Sequence, residues 1–263
     1  MLSDDDLIFG LANNIISHRK RNIAMFKTEF YTRDLSREEV VEWGKKKLVP
    51  LLSSTEEIIP RDQWDLLGLK GATDKQLLHP HYVIMRDYFL SGNYQPKHDT
   101  AVLMLCANKK PYRGNFLINR FYNLSKDTAD FYILSNPGVI PIEYDNHYPF
   151  RWYEWNELEE TPEIKQLYTE ELQKRIETWF NHFNGYKRVV SVIRPGETHT
   201  AYLQSNIPQQ KDDVFSQHNM ELLEQEYLIP VFKNNRGLFK TRLLNLKRVK
   251  EIFINTLQGK ETI

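Results

Sequence analysis

Residues 101–115 read AVLMLCANKKPYRGN. Seven uncharged residues, Ala101 to Ala107, run straight into Asn108, Lys109 and Lys110, and Pro111 and Tyr112 follow at once. An unbroken apolar run bounded by turn residues is the pattern of a strand covered on both faces, as in a parallel sheet with helices above and below. TAVLMLCA (100–107), DFYILSNP (130–137) and KRVVSVIRPG (187–196) repeat it, which predicts three such strands.

Between the second and third strands lies TPEIKQLYTEELQKRIETWFNHFNGY (161–186), with Thr161 as N-cap, Pro162 at the first helical position and Gly185 as a stop. Ile164, Leu167, Tyr168, Leu172, Ile176, Trp179, Phe180 and Phe183 recur at spacings of three and four, a core-facing stripe. Alternation of strand and helix predicts an α/β fold with a three-layer parallel sheet. Residues 1–96 read as a helical N-terminal region and 97–263 as the α/β domain with C-terminal helices. Ser36 with Glu39, and Thr73 with Gln76, form two capping-box patterns. Pro50 should end the first of these helices, Pro80 should split the second, and Gly92 should stop it. Two further helices are expected at 211–227 and 238–258, with a turn at NNRG between them.

At 263 residues with 41% hydrophobic composition the chain can bury a large core, and no apolar run reaches the roughly 18 residues of a membrane span. Lys plus Arg and Asp plus Glu each number 35, so no global positive field draws it onto nucleic acid. Local basic clusters at HRKR (18–21), KKK (45–47) and FKTRLLNLKRVK (239–250) read first as solvated faces. One cysteine excludes an internal disulfide and MLSDDDLIFG lacks a signal-peptide pattern, so a cytoplasmic protein is expected. Scattered histidines and a lone cysteine give no zinc spacing, and neither metal nor cofactor is expected.

Ligands of open parallel sheets bind beyond the carboxyl ends of the strands. That selects CANKKPYRGN, SNPGVIPIEYDNHYPF (135–150) and RPGETHT (194–200). Lys110 reads as a cation or general acid or as a surface group, and Tyr112 as a stacking face or as a core aromatic. Cys106 reads as a small buried hydrophobe or as a nucleophile. Glu143 fits the donor edge of a guanine-like base or a surface salt bridge, and Arg194 a carboxylate or phosphate clamp. Glu197 and His199 lie too close in sequence to say which way each faces. No phosphate loop, G-x-S-x-G elbow or H-E-x-x-H pair is present.

Cys106, three residues, then Lys110-Pro111-Tyr112 resembles the C-x-x-x-K-P-Y signature of the catalytic domain of archaeosine synthase, a family related to tRNA-guanine transglycosylases. LSNPGVIPIEYDNHYP (134–149) is similar to that family's second motif. Leu105, Asn115 and Ile118 stand where the family carries proline, serine and histidine. The resemblance implies a uracil-DNA-glycosylase-like fold and an enzyme joining free lysine to the nitrile of a 7-cyano-7-deazaguanine base in tRNA. It implies Cys106, Lys110 and Glu143 as catalytic residues. Substrate-binding residues are expected at Asn108, Pro111, Tyr112, Asn115, Ser135, Asn136, Tyr144, Tyr148 and Arg194.

The expectation is therefore a transferase that attaches an amine or amino acid to a modified base in DNA or tRNA. A DNA hypermodification system in archaea, bacteria or virus-infected cells would suit a chain without a tRNA-specific domain, and a protein subunit could complete it. The alternatives are a base-excising glycosylase of the same fold and a non-catalytic base-binding subunit.

Overall fold

The computed structural model describes residues 5–6, 8–10, 12–13, 36–47, 57–65, 68–107, 110–155, 159–227, 244 and 246–260. Five strands form one sheet in the order β3-β2-β1-β4-β5: β1 (Thr100–Leu105), β2 (Asp130–Ser135), β3 (Gly138–Pro141), β4 (Arg188–Val192) and β5 (Gln210–Asp213). β1 pairs in parallel with β2 and β4, and β4 with β5, while β3 returns antiparallel along β2. The three apolar runs are the three central strands. Every residue of β2 is buried, and β1 and β4 are buried but for one end residue each.

Helices α1 (Arg37–Lys47), α2 (Asp74–Leu77), α3 (Pro80–Tyr88), α4 (Phe116–Ser125), α5 (Pro162–His182), α6 (Glu197–Gln204), α7 (Gln217–Tyr227) and α8 (Lys247–Leu257) are described. Their starts follow local chemistry. The amide of Ser36 donates to Glu39 at 2.9 Å and the amide of Glu39 to the Ser36 hydroxyl at 3.2 Å, a complete capping box. Thr73 caps α2 by accepting from the Gln76 amide, but the Gln76 side chain donates to Tyr82 Oη at 2.9 Å, so that second box is half-formed. Pro80 separates α2 from α3, and Gly92, at φ +96, ends the turn after α3 in a conformation glycine adopts without strain. Thr161 caps α5 through the amide of Ile164, at 3.3 Å.

The strand pleat sends neighbouring side chains to opposite faces. Phe131 meets Tyr122 of α4 at 5.7 Å, and Phe121 of α4 meets Phe253 of α8 at 5.1 Å, so these two helices cover one face. Tyr132 meets Trp179 of α5 at 5.4 Å on the other, where Phe89 also reaches Trp179. Val40, Trp64, Leu69 and Leu77 join the same buried cluster as the strands, so described residues on both sides of position 96 share one core.

Two elements depart from the sequence expectation. Residues 138–141 form β3, folded back on β2 through the Asn136–Pro137 turn. Gly138 sits there at φ +105 with Arg175 Cδ 3.0 Å from where a Cβ would be. Residues 210–213 form β5, where a helix is expected from 211 onward; it is a charged edge strand held by its pairing with β4. The following helix begins at Gln217, and the NNRG turn and the HRKR cluster lie outside the described residues. In the basic cluster on α1, Lys45 pairs with Asp5 at 2.7 Å on the exposed surface.

Candidate functional site

β2 lies on one side of β1 and β4 on the other, so the chain changes direction between β1 and β4, and the edge at their carboxyl ends is the sheet's switch point. Cys106 extends β1 into it. Its amide donates to the Leu134 carbonyl at 3.1 Å, and the residue is half-buried. Met104 pairs with Val192, so continuing that register by two residues brings Arg194 level with Cys106.

Lys110 turns inward. Its ammonium donates to the Tyr153 carbonyl and lies 3.0 Å from the centroid of the Tyr153 ring. Burial holds its pKa well below the ordinary lysine value, against opposing pulls from Cys106 and Glu154. The Tyr112 ring is fully buried, and its hydroxyl bonds that of Tyr153, which in turn donates to Ser135 Oγ. Ser135 donates to Asn136 Oδ1 at 3.2 Å, Asn136 Nδ2 to Gln76 Oε1 at 3.5 Å, and Gln76 reaches Tyr82. One polar chain thus runs from the K-P-Y loop across the end of β2 to α3. Burial pushes the Tyr82, Tyr112 and Tyr153 phenols up, which keeps them neutral hydrogen-bonding groups. Tyr168 of α5 bonds Thr198 at 2.8 Å, and burial followed by the charge of Cys106 raises its pKa. The thiol therefore acts electrostatically on Lys110, Tyr112, Tyr153 and Tyr168.

The expected residues divide accordingly. Cys106, Lys110, Pro111, Tyr112, Ser135, Asn136 and Arg194 gather at the carboxyl edge, with Lys110–Pro111 a cis peptide. Glu143 does not join them. Because β3 runs backward, Pro141 stands level with Tyr132, and Tyr132 pairs with Leu103, three residues before Cys106. That separation is about 10 Å along the strands and about 10 Å across them. Glu143 instead pairs with Lys97 at 3.4 Å, and its side chain is 41% exposed. The carboxylate brought to the K-P-Y loop is Asp145, fully buried and accepting the Arg113 amide at 2.8 Å.

Tyr112 offers no open stacking face, since none of its surface is exposed. Asn115 caps α4, its side chain accepting from Leu117 at 3.0 Å and Ile118 at 3.4 Å. Tyr148 is buried, stacked on Trp64 at 4.5 Å and bonded to His81 Nδ1 at 2.7 Å, and Tyr144 packs edge-on against Phe89. These three side chains are committed to structure. Asn108 lies outside the described residues. His199 and Asp213 form a part-buried pair at 2.7 Å, but Asp213 pairs with Ser191, which pairs with Leu103, two strands over from β1 and short of the Cys106 level.

Tyr153, Tyr168, Gln76 and Asp145 are not among the site residues that the sequence suggests. Tyr168 sits in the apolar stripe of α5, and that periodicity gives its helix face without saying what its hydroxyl meets. Among the described residues no group of three or more His, Cys, Asp or Glu side chains is placed to hold a metal. None of the described helices is long and apolar enough to cross a membrane.

Residues 88–227, more than half of the chain, match a family model described as a domain of unknown function, DUF5591. The chain belongs to the DUF5591 family. The DUF5591 match takes in all five strands, both motifs and α7. Over 131 residues, 48% of its length, the chain is 26% identical to archaeosine synthase subunit alpha of Thermoplasma acidophilum and spans 24% of that protein. The crystal structure of AF0587, a protein of unknown function, aligns over 66% of this chain and 58% of its own, with 19% identity and a TM-score of 0.35.

Proposed function

We propose that this DUF5591 chain is a nucleic-acid base-modifying transferase that joins an amine or amino acid to a nitrile-bearing deazaguanine-type base. One observation carries the reading: Cys106 leaves β1 at the switch point, and Lys110, four residues on, is turned inward onto the Tyr153 carbonyl and ring, where burial lowers its pKa. The similarity to archaeosine synthase subunit alpha supports the substrate class. The uracil-DNA-glycosylase-like form of the α/β architecture belongs to the same proposal, supported by the parallel pairing of β1 with β4, which sets the carboxyl ends of both strands at one sheet edge.

In this reading neutral Lys110 takes the Cys106 proton as the sulfur adds to the nitrile carbon, and passes it to the nitrile nitrogen, giving a thioimidate. The amine of the second substrate attacks that carbon, the carbon–sulfur bond breaks, and the proton lost by the amine returns to sulfur. The product is an amidine and the thiol is regenerated. Arg194 binds the carboxylate when the amine is an amino acid. Tyr112 and Tyr153 hold Lys110 in place, and Ser135 and Asn136 fix the hydroxyl chain behind them.

The test incubates the protein with RNA and DNA oligonucleotides bearing 7-cyano-7-deazaguanine, together with lysine or simple amines, and weighs the digested nucleosides. A gain equal to the whole amine is expected, because addition to a nitrile expels nothing. Omitting the amine should leave a protein–oligonucleotide adduct that Cys106→Ser lacks. Free base marks excision instead, and unchanged nucleosides with measurable affinity mark binding alone.

A further inference from the structure

Phe116 opens α4, one residue after its Asn115 cap and four after Tyr112, at the outer corner of the K-P-Y loop. It is 69% exposed, and among the described residues it is the one exposed aromatic; the other exposed large hydrophobics, Leu78, Val83, Ile84 and Leu203, are aliphatic. A single exposed apolar side chain needs no explanation. This one is furnished. The Arg120 guanidinium, one helical turn on, lies 4.7 Å from the ring centroid. Arg113, with 41% of its side chain exposed, stands three residues before the ring and is held by Asp145, its amide at 2.8 Å and its guanidinium at 3.5 Å. A largely exposed ring with one guanidinium over it and a second arginine three residues away in the chain matches a planar base on an anionic backbone better than an apolar protein surface.

We propose that Phe116, with Arg113 and Arg120, is the platform on which a single-stranded nucleic acid stacks a base neighbouring the one presented to Cys106. This rests on the reading of the carboxyl edge as a base-modifying site. The ring takes the face of the neighbouring base, and the guanidinium groups take its phosphates. Stacking is indifferent to base identity, so the platform sets strand state and position, not sequence.

Fluorescence anisotropy with labelled single-stranded RNA and DNA containing only ordinary bases tests it apart from the chemistry. Phe116→Ala should weaken single-strand binding on the order of 5- to 100-fold, and Phe116→Trp should restore it. Arg120→Gln should lower the slope of log affinity against log salt by about 0.7. The thermal midpoint of Phe116→Ala should match the wild type, since the ring is outside the core. Equal oligonucleotide affinity in Phe116→Ala, equal competition by a duplex of the same sequence, or no oligonucleotide binding by the wild type overturns the platform. Loss of wild-type turnover on every nitrile substrate, with the stacking results intact, overturns the chemistry and leaves the platform standing.

Discussion

The Lys110 side-chain nitrogen lies 3.0 Å from the centroid of the Tyr153 ring, in the loop that follows β1 and Cys106. Among the described residues no carboxylate lies at hydrogen-bonding distance of this buried lysine; a carbonyl and an aromatic face hold it, and this environment favours the neutral amine. Under the proposed mechanism, kcat/KM should rise with pH through an apparent pKa below the ordinary lysine value of 10.5. Lys110→Arg, whose charge persists at every accessible pH, should abolish that limb together with turnover. A profile with no ionisation below 10 in the wild type would argue against Lys110 as the base.

The same burial costs stability. Between its depressed pKa and 10.5 the unfolded chain holds a proton on Lys110 that the folded chain lacks, so stability climbs with pH across that window. Lys110→Met should therefore be more stable than wild type at neutral pH by about 1 kcal/mol or more. The gain should shrink as pH approaches 10.5. Urea denaturation at two pH values reads both effects.

Tyr153 joins Tyr112 to Ser135 by one hydroxyl. Tyr153→Phe should cost about 1–3 kcal/mol, because it leaves buried partners unsatisfied. Tyr112→Phe combined with it should cost less than the sum of the two single changes, since both remove the same bond. Additive losses in a double-mutant cycle would show that the two phenols are not coupled.

Asp145 is raised by burial above the ordinary aspartate value of 3.8, in spite of Arg113. The folded state then holds the proton more tightly, so this group's contribution is full below 3.8 and is lost as pH rises through the higher folded value. Asp145→Asn should flatten that part of the stability–pH curve while keeping the K-P-Y turn seated through its side-chain carbonyl. Parallel curves for variant and wild type between pH 3 and 7 would contradict the assignment.

Glu143 and Lys97 form an exposed pair worth about 0–1 kcal/mol. Glu143→Gln should leave turnover within about twofold of wild type, the range expected of a surface change. A large loss of activity would return this carboxylate to the site.

The sequence by itself determined the elements that announce themselves locally. β1, β2 and β4 are apolar on both faces because both faces are covered, and continuous runs such as Ala101–Leu105 suit a strand in that position. Ser36, Thr73 and Thr161 cap their helices because a short side-chain oxygen satisfies amides three residues on. It also put Cys106, Lys110 and Arg194 at strand ends, which the parallel pairing then gathered at one edge. Tertiary structure alone decided the rest. Gly138–Pro141 and Gln210–Asp213 are strands because β2 and β4 offer them edges, and an edge strand carries little pattern of its own. That reversal at β3 moved Glu143 down the sheet and left Asp145 against Arg113. Tyr112 and Tyr153 found each other across 41 residues of sequence, because their hydroxyls, once buried, had to be hydrogen-bonded within the protein.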